Sequence, residues 1–181
     1  MKTILRLPLV ALTASLLFVS ASAQAQTTPP RYKDVVVDNP TAEADMKVVG
    51  DFVNALVSGD LDKAKSLAAP TYLGRGPGRL DSANVEKTLA NWKANYNMQS
   101  DRKAMFVTQT FKVLSGNLKG SWVSLWGDYT FTQAGKTITF PFQYTASVAD
   151  GKVMSDRIYY DNMAIITQLG FKVTPPDVAK K

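Results

Sequence analysis

Residues 121–161 read SWVSLWGDYT FTQAGKTITF PFQYTASVAD GKVMSDRIYY D, and this stretch decides the fold. Apolar and polar residues alternate with a period of two through three runs, Ser121–Thr132, Lys136–Ala149 and Lys152–Tyr160. Ala134-Gly135 and Asp150-Gly151 separate them, and short turn dipeptides of this kind join neighbouring antiparallel strands. A fourth run, Lys103–Leu114, comes before Gly116-Asn117. The sequence predicts a four-stranded antiparallel meander.

Turn length sets the register. A two-residue Ala134-Gly135 turn puts Gln133 opposite Lys136, Phe131 opposite Ile138, Tyr129 opposite Phe140, Gly127 opposite Phe142 and Leu125 opposite Tyr144. A two-residue Asp150-Gly151 turn then puts Tyr144 opposite Arg157, Phe142 opposite Tyr159 and Phe140 opposite Asp161. One face therefore collects Leu125, Tyr129, Phe131, Phe140, Phe142, Tyr144, Arg157, Tyr159 and Asp161. The other collects Trp122, Trp126, Asp128, Gln143, Thr145, Asp156 and Tyr160. The aromatic face is expected to be the concave, covered one; a bulge would reverse part of the assignment.

Upstream of the meander the period is helical. Met46, Val49, Phe52, Val53, Leu56 and Val57 form one apolar stripe, with Thr41 as N-cap and Gly59 as the stop. Asp60 caps a second short helix bearing Leu61, Ala64, Leu67 and Ala68, which Pro70 ends. Gly74-Arg75-Gly76-Pro77-Gly78 reads as a loop; it lacks the Gly-Lys-Ser/Thr ending of a phosphate loop and no strand leads into it. Ser82 opens a third helix with Val85, Leu89, Trp92 and Tyr96 on one side, and a terminal helix is expected over Asn162–Leu169. Three amphipathic helices before a long curved sheet give an α+β architecture with the helices on one sheet face.

The first residues read differently. Lys2 and Arg6 precede an apolar stretch, Leu7–Val19, followed by the small-residue sites Ala21-Ser22-Ala23 and Ala23-Gln24-Ala25. That order is a secretory signal peptide, cleaved after Ala23 or Ala25, and the apolar run is short for a membrane span. Export to the periplasm or medium is expected, with no membrane span afterwards. Residues 24–40 read as a tether or extended arm in which Val35-Val36-Val37 could add an edge strand, 41–174 as one domain and 175–181 as a tail.

Composition excludes several chemistries. The chain is 45% hydrophobic, enough for a core, and contains neither Cys nor His. Disulfides, thiolate and Ser-His-Asp catalysis and ordinary zinc sites are therefore ruled out, and neither a metal nor a cofactor is expected. The 21 basic and 15 acidic residues give +6, and losing Lys2 and Arg6 with the leader leaves +4. The basic residues are scattered, so nucleic acid is not an expected partner.

Two segments resemble the nuclear-transport-factor-2-like superfamily, SnoaL-like branch. Phe52-x-x-Ala55-Leu56-Val57-Ser58-Gly59-Asp60-Leu61-Asp62-Lys63-Ala64 is similar to its opening helices. Gly151-Lys152-Val153, Arg157-Ile158-Tyr159-Tyr160-Asp161 and Gln168-Leu169-Gly170 are similar to its last strand and terminal turn. The resemblance spans about Thr41 to Phe171 and implies a cone with a ligand pocket between sheet and helices, in a homodimer that buries the outer sheet face. It includes polyketide cyclases and ketosteroid isomerase, which use a pocket carboxylate with Tyr as donor. The Asp-rich stretch common after the second helix is here Ala69-Pro70-Thr71-Tyr72-Leu73, and the His of dehydratase-like members is missing.

Candidate site residues follow from the predicted register. Asp161, on the aromatic face, is a candidate base whose alternative role is a helix cap. Arg157 is a candidate anion ligand or a structural partner of Asp161. Tyr144 and Tyr159 could donate to a substrate oxygen or simply pack. Phe140, Phe142, Tyr72, Trp92 and Tyr96 are candidate pocket walls. Trp122 and Trp126 on the outer face suggest a homodimer contact. Three functions stay open: binding of a small, largely apolar ligand in the cone, a cofactor-free lyase or isomerase, and a protein-interaction domain. An open pocket with a dry, unpaired Asp161 favours the second; a pocket filled by its own aromatics favours the third.

Overall fold

A computed structural model describes residues 29–174. The expected leader, its cleavage sites and the tail 175–181 lie outside the described residues. The elements are α1 (Tyr32–Val35), β1 (Val36–Val37), α2 (Ala42–Ser58), α3 (Leu61–Leu67), β2 (Ala68–Arg75), β3 (Ser82–Ala83), α4 (Val85–Tyr96), β4 (Ser100–Val113), β5 (Gly120–Gln133), β6 (Lys136–Ala149), β7 (Lys152–Tyr160) and α5 (Asn162–Gln168). The strands form one unclosed sheet in the order β1-β4-β5-β6-β7-β2-β3, curved around the helices as a cone. No helix among the described residues is long and apolar enough to cross a membrane.

The α2 stripe is buried as its spacing demands, with Val49 and Phe52 sealed against Val123, Leu125, Phe131, Ile138 and Val153 from the sheet. Each such side chain contributes about 1.5–3 kcal/mol on leaving water. Gly59 ends α2 in the left-handed conformation, at φ 97°. Asp60 caps α3 by accepting from Lys63 N at 3.0 Å. Asp45, buried on α2, accepts from Asn39 Nδ2 and Thr41 Oγ1, both at 2.7 Å, and Asn39 also donates to Thr110 on β4. That polar knot fastens the chain ahead of α2 to the sheet, while Val36 and Val37 pair with Val113 and Lys112 at its edge.

Two local expectations are corrected. Residues 68–75, read as a helix end running into a loop, form β2, which pairs in parallel with β7; Pro70 sits where that register shifts, a place that needs no ladder donor. The third helix is capped by Asn84, whose side chain accepts from Lys87 N at 3.0 Å, and not by Ser82, which belongs to β3.

The β5–β6 register is as expected throughout, from Gln133 opposite Lys136 to Leu125 opposite Tyr144. The β6–β7 register holds only at the turn, where Ala149 pairs with Lys152 and Val148 with Val153. Ser147 then pairs with Ser155, which leaves Met154 as the extra residue of a bulge. Beyond it every side chain of β7 is on the opposite face from the one predicted.

Candidate functional site

The bulge brings Asp156, Ile158 and Tyr160 into the cone and turns Arg157 and Tyr159 out of it. Asp156, expected on the outer face, is 6% exposed and lines a cavity of about 650 Å³ between the sheet and α4. Tyr144 Oη donates to its Oδ2 at 2.7 Å, and Tyr72 Oη donates to the same oxygen. Tyr72 arrives on β2, the strand missed in the sequence, where Gly74 is the partner of Asp156. A Cβ on Gly74 would stand 2.5 Å from Tyr72 Oη and 3.2 Å from Asp156 Oδ1, so the triad occupies space that only glycine leaves.

Burial dominates the electrostatics. It pushes the Asp156 carboxyl above its ordinary 3.8, against the opposing pull of the Tyr72 and Tyr144 hydrogen bonds and of Arg75. No Lys or Arg side chain forms an ion pair with Asp156 among the described residues. Burial, and then the charge of Asp156, push both phenols well up as well, so each keeps its proton for donation. Burial raises Tyr129 to about 12; its hydroxyl donates to Gln99 Oε1 at 3.1 Å. Tyr160, half-buried in the wall, is raised by burial and by Asp81.

The predicted residues divide between cavity and elsewhere. Tyr72, Trp92, Phe140, Phe142 and Tyr144 line the cavity. Tyr96 does not: its hydroxyl donates to the Leu56 carbonyl at 2.6 Å and Arg102 stacks over its ring at 4.4 Å. Asp161 is exposed and caps α5, accepting from Ala164 N at 2.9 Å, which is its alternative role and not that of a pocket base. Arg157 reaches Gly76 O at 3.5 Å and lies 5.9 Å from the centre of the Tyr159 ring, so it does not pair with Asp161. Tyr159 is half exposed on the outer face. Trp122 and Trp126 lie on that outer face too, with Trp122 Nε1 bonded to Leu118 O.

Asp156, Tyr160 and Ile158 were missed, and one signal was present. An unbroken strand directs charged Arg157 into an aromatic cone and apolar Ile158 out of it. A bulge after Val153 removes both misplacements at once.

No family model matches the chain, and no curated protein matches it. Among solved structures it is similar to IdmH, a proposed polyketide cyclase from Streptomyces antibioticus, at 19% identity and a TM-score of 0.57, over 70% of this chain and 99% of that one. It is likewise similar to an NTF2-like protein from Burkholderia xenovorans LB400, at 19% identity and a TM-score of 0.54, over 72% and 98%. An LEH-like epoxide hydrolase from M. tuberculosis aligns at 15% identity and a TM-score of 0.56, over 72% and 92%. At these identities the likeness is one of fold. The chain has the nuclear-transport-factor-2-like cone fold.

Proposed function

We propose that this domain binds a small, largely apolar molecule in its cone and acts on it by proton transfer, as a cofactor-free lyase or isomerase with Asp156 as base. The observation that carries the reading is the carboxylate itself: nearly dry, in an open cavity, with two phenols as its side-chain hydrogen-bond partners. Burial raises its affinity for a proton toward the range useful to a general base. Bound beside Asp156, a carbon acid breaks its C–H bond to form the carboxyl O–H, and the electron pair moves onto the conjugated oxygen. Tyr160 is placed to donate to that oxygen, since Tyr72 and Tyr144 are committed to Asp156. Return of the proton to another carbon completes an isomerisation; departure of a β-substituent completes an elimination. The polyketide cyclase and epoxide hydrolase among the structural neighbours are consistent with small-molecule chemistry in this fold. Export, and a homodimer through the outer sheet face, belong to the same proposal.

A second reading is plain ligand binding, with the triad as polar floor. It is favoured by both phenols already donating to Asp156. The two separate with 2-tetralone, a flat ketone with acidic α-hydrogens, in deuterated buffer. Wild-type protein should speed α-exchange above buffer, and Asp156→Asn should lower that rate by about 10²–10⁴-fold while the ketone still binds. Equal exchange with both proteins removes the catalytic reading and leaves binding.

A further inference from the structure

α4 walls one side of the cavity, and Leu89 and Trp92 on it pack against the core while only half-buried. Only Val85 is fully buried on it. The face toward the cavity instead carries Thr88, Asn91, Trp92 and Asn95, at the spacing of one helical stripe. Asparagine is a poor helix former, because its side chain competes for the backbone. Asn84 is explained as the cap; Asn91 is exposed and Asn95 half-buried in the last turn, and neither carboxamide makes a hydrogen bond among the described residues. Across the mouth stands Asn162 at the start of α5. Deeper in, the walls turn apolar with Phe131, Phe140 and Phe142.

We infer that the mouth of the cone recognises a neutral, hydroxyl-bearing end of the ligand, read by the carboxamides of Asn91 and Asn95 beside the Trp92 ring. The inference rests on the pocket reading above and names its ligand class: a flat apolar body with a polyhydroxylated head, as in an aryl glycoside. A carboxamide offers a donor and an acceptor together, which matches a hydroxyl, also donor and acceptor. Charge recognition fits less well. Arg75 lines the cavity from β2 but lies near Asp156, whose charge offsets its own, while Lys87 and Asp81 oppose each other in sign on the exposed rim. Such rim charges are screened by salt.

The test uses calorimetric titration of the folded protein with 2-naphthol, 2-naphthyl β-D-glucoside and 2-naphthyl sulfate. The glucoside should bind about tenfold more tightly than naphthol, as two added hydrogen bonds allow. In the Asn91→Ala/Asn95→Ala variant the ratio of the two affinities should fall to about one. Alanine is the better helix former, so an equal or higher melting temperature shows that the loss is not unfolding. A glucoside no tighter than naphthol, or a ratio the variant leaves unchanged, overturns the inference while the pocket reading stands. A sulfate tighter than the glucoside also overturns it, since the mouth then reads charge. Failure of naphthol to bind at all overturns the pocket reading and this inference with it.

Discussion

Tyr144 Oη lies 2.7 Å from Asp156 Oδ2, although the two are not cross-strand partners: Tyr144 pairs with Ile158 and Asp156 with Ala146. The phenol crosses the β6–β7 ladder diagonally, a reach that long side chains on one sheet face possess. Tyr72 meets the same oxygen from β2 on the other side of β7. One carboxylate is thus clamped between both neighbouring strands, where the sheet curls over the cavity.

The clamp has a pH signature. Asp156 titrates above its ordinary value when folded, so the fold holds a proton that the unfolded chain has released. Its favourable contribution is complete below about pH 4, near the unfolded value, and is lost as pH rises through the folded value. Asp156→Asn does not titrate, so its melting temperature should gain on wild type from acid to neutral pH. A constant or opposite difference contradicts a dry carboxylate. At neutral pH, Tyr72→Phe and Tyr144→Phe should each cost about 1.5–3 kcal/mol, as hydrogen bonds to charge do. Together they should cost less than the separate losses combined, because Asp156 left without donors takes up a proton.

Gly127 sets the curvature behind the site. It pairs with Phe106 on β4 and Phe142 on β6, and a Cβ there would lie 1.8 Å from the Met105 carbonyl oxygen. That neighbour is backbone and cannot rotate away, so β4 would have to lift from β5. Gly127→Ala should destabilise by about 3 kcal/mol or more, read from urea midpoints. A loss of only about 0.5 kcal/mol, typical of a surface change, shows that the strands can part freely.

What could be read in advance follows the range of the interactions. The helical stripe of α2 and the β5–β6 partners rest on local periodicity and a two-residue turn, and both are present as read. The site depended on one insertion. Met154 is an ordinary strand residue by type, and only the three-dimensional mismatch of Arg157 and Ile158 betrays the bulge that puts Asp156, and not Asp161, in the cone. β2 escaped for a different reason: its pairing with β7 joins residues about 80 apart, and Pro70 and Gly74 mask its strand character. Tyr72 could be named as a wall residue, but its bond to Asp156 could not.

Export is tested at the N-terminus. Protein recovered from the periplasm or medium of the native host should begin at Gln24 or Gln26, as mass spectrometry of the intact chain would report. A chain recovered there with Met1 in place refutes a cleaved leader.

The outer face makes the last prediction. Val107, Trp126, Gln143 and Tyr159 are register neighbours across four strands, and Met105 stands beside Val107 on the same face. Met105, Val107, Tyr159 and Trp126 are 71%, 67%, 51% and 38% exposed, an apolar stripe that a lone domain would leave in water. Light scattering at micromolar concentration should therefore give the mass of a dimer. Trp126→Asp should give a monomer, because an unpaired carboxylate at the centre of a desolvated contact is costly. Leu80→Asp, at an exposed residue by the cavity mouth and away from this face, should leave the dimer intact. A monomeric wild type, or a Trp126→Asp protein that still pairs, assigns the stripe to something other than a second copy of this chain.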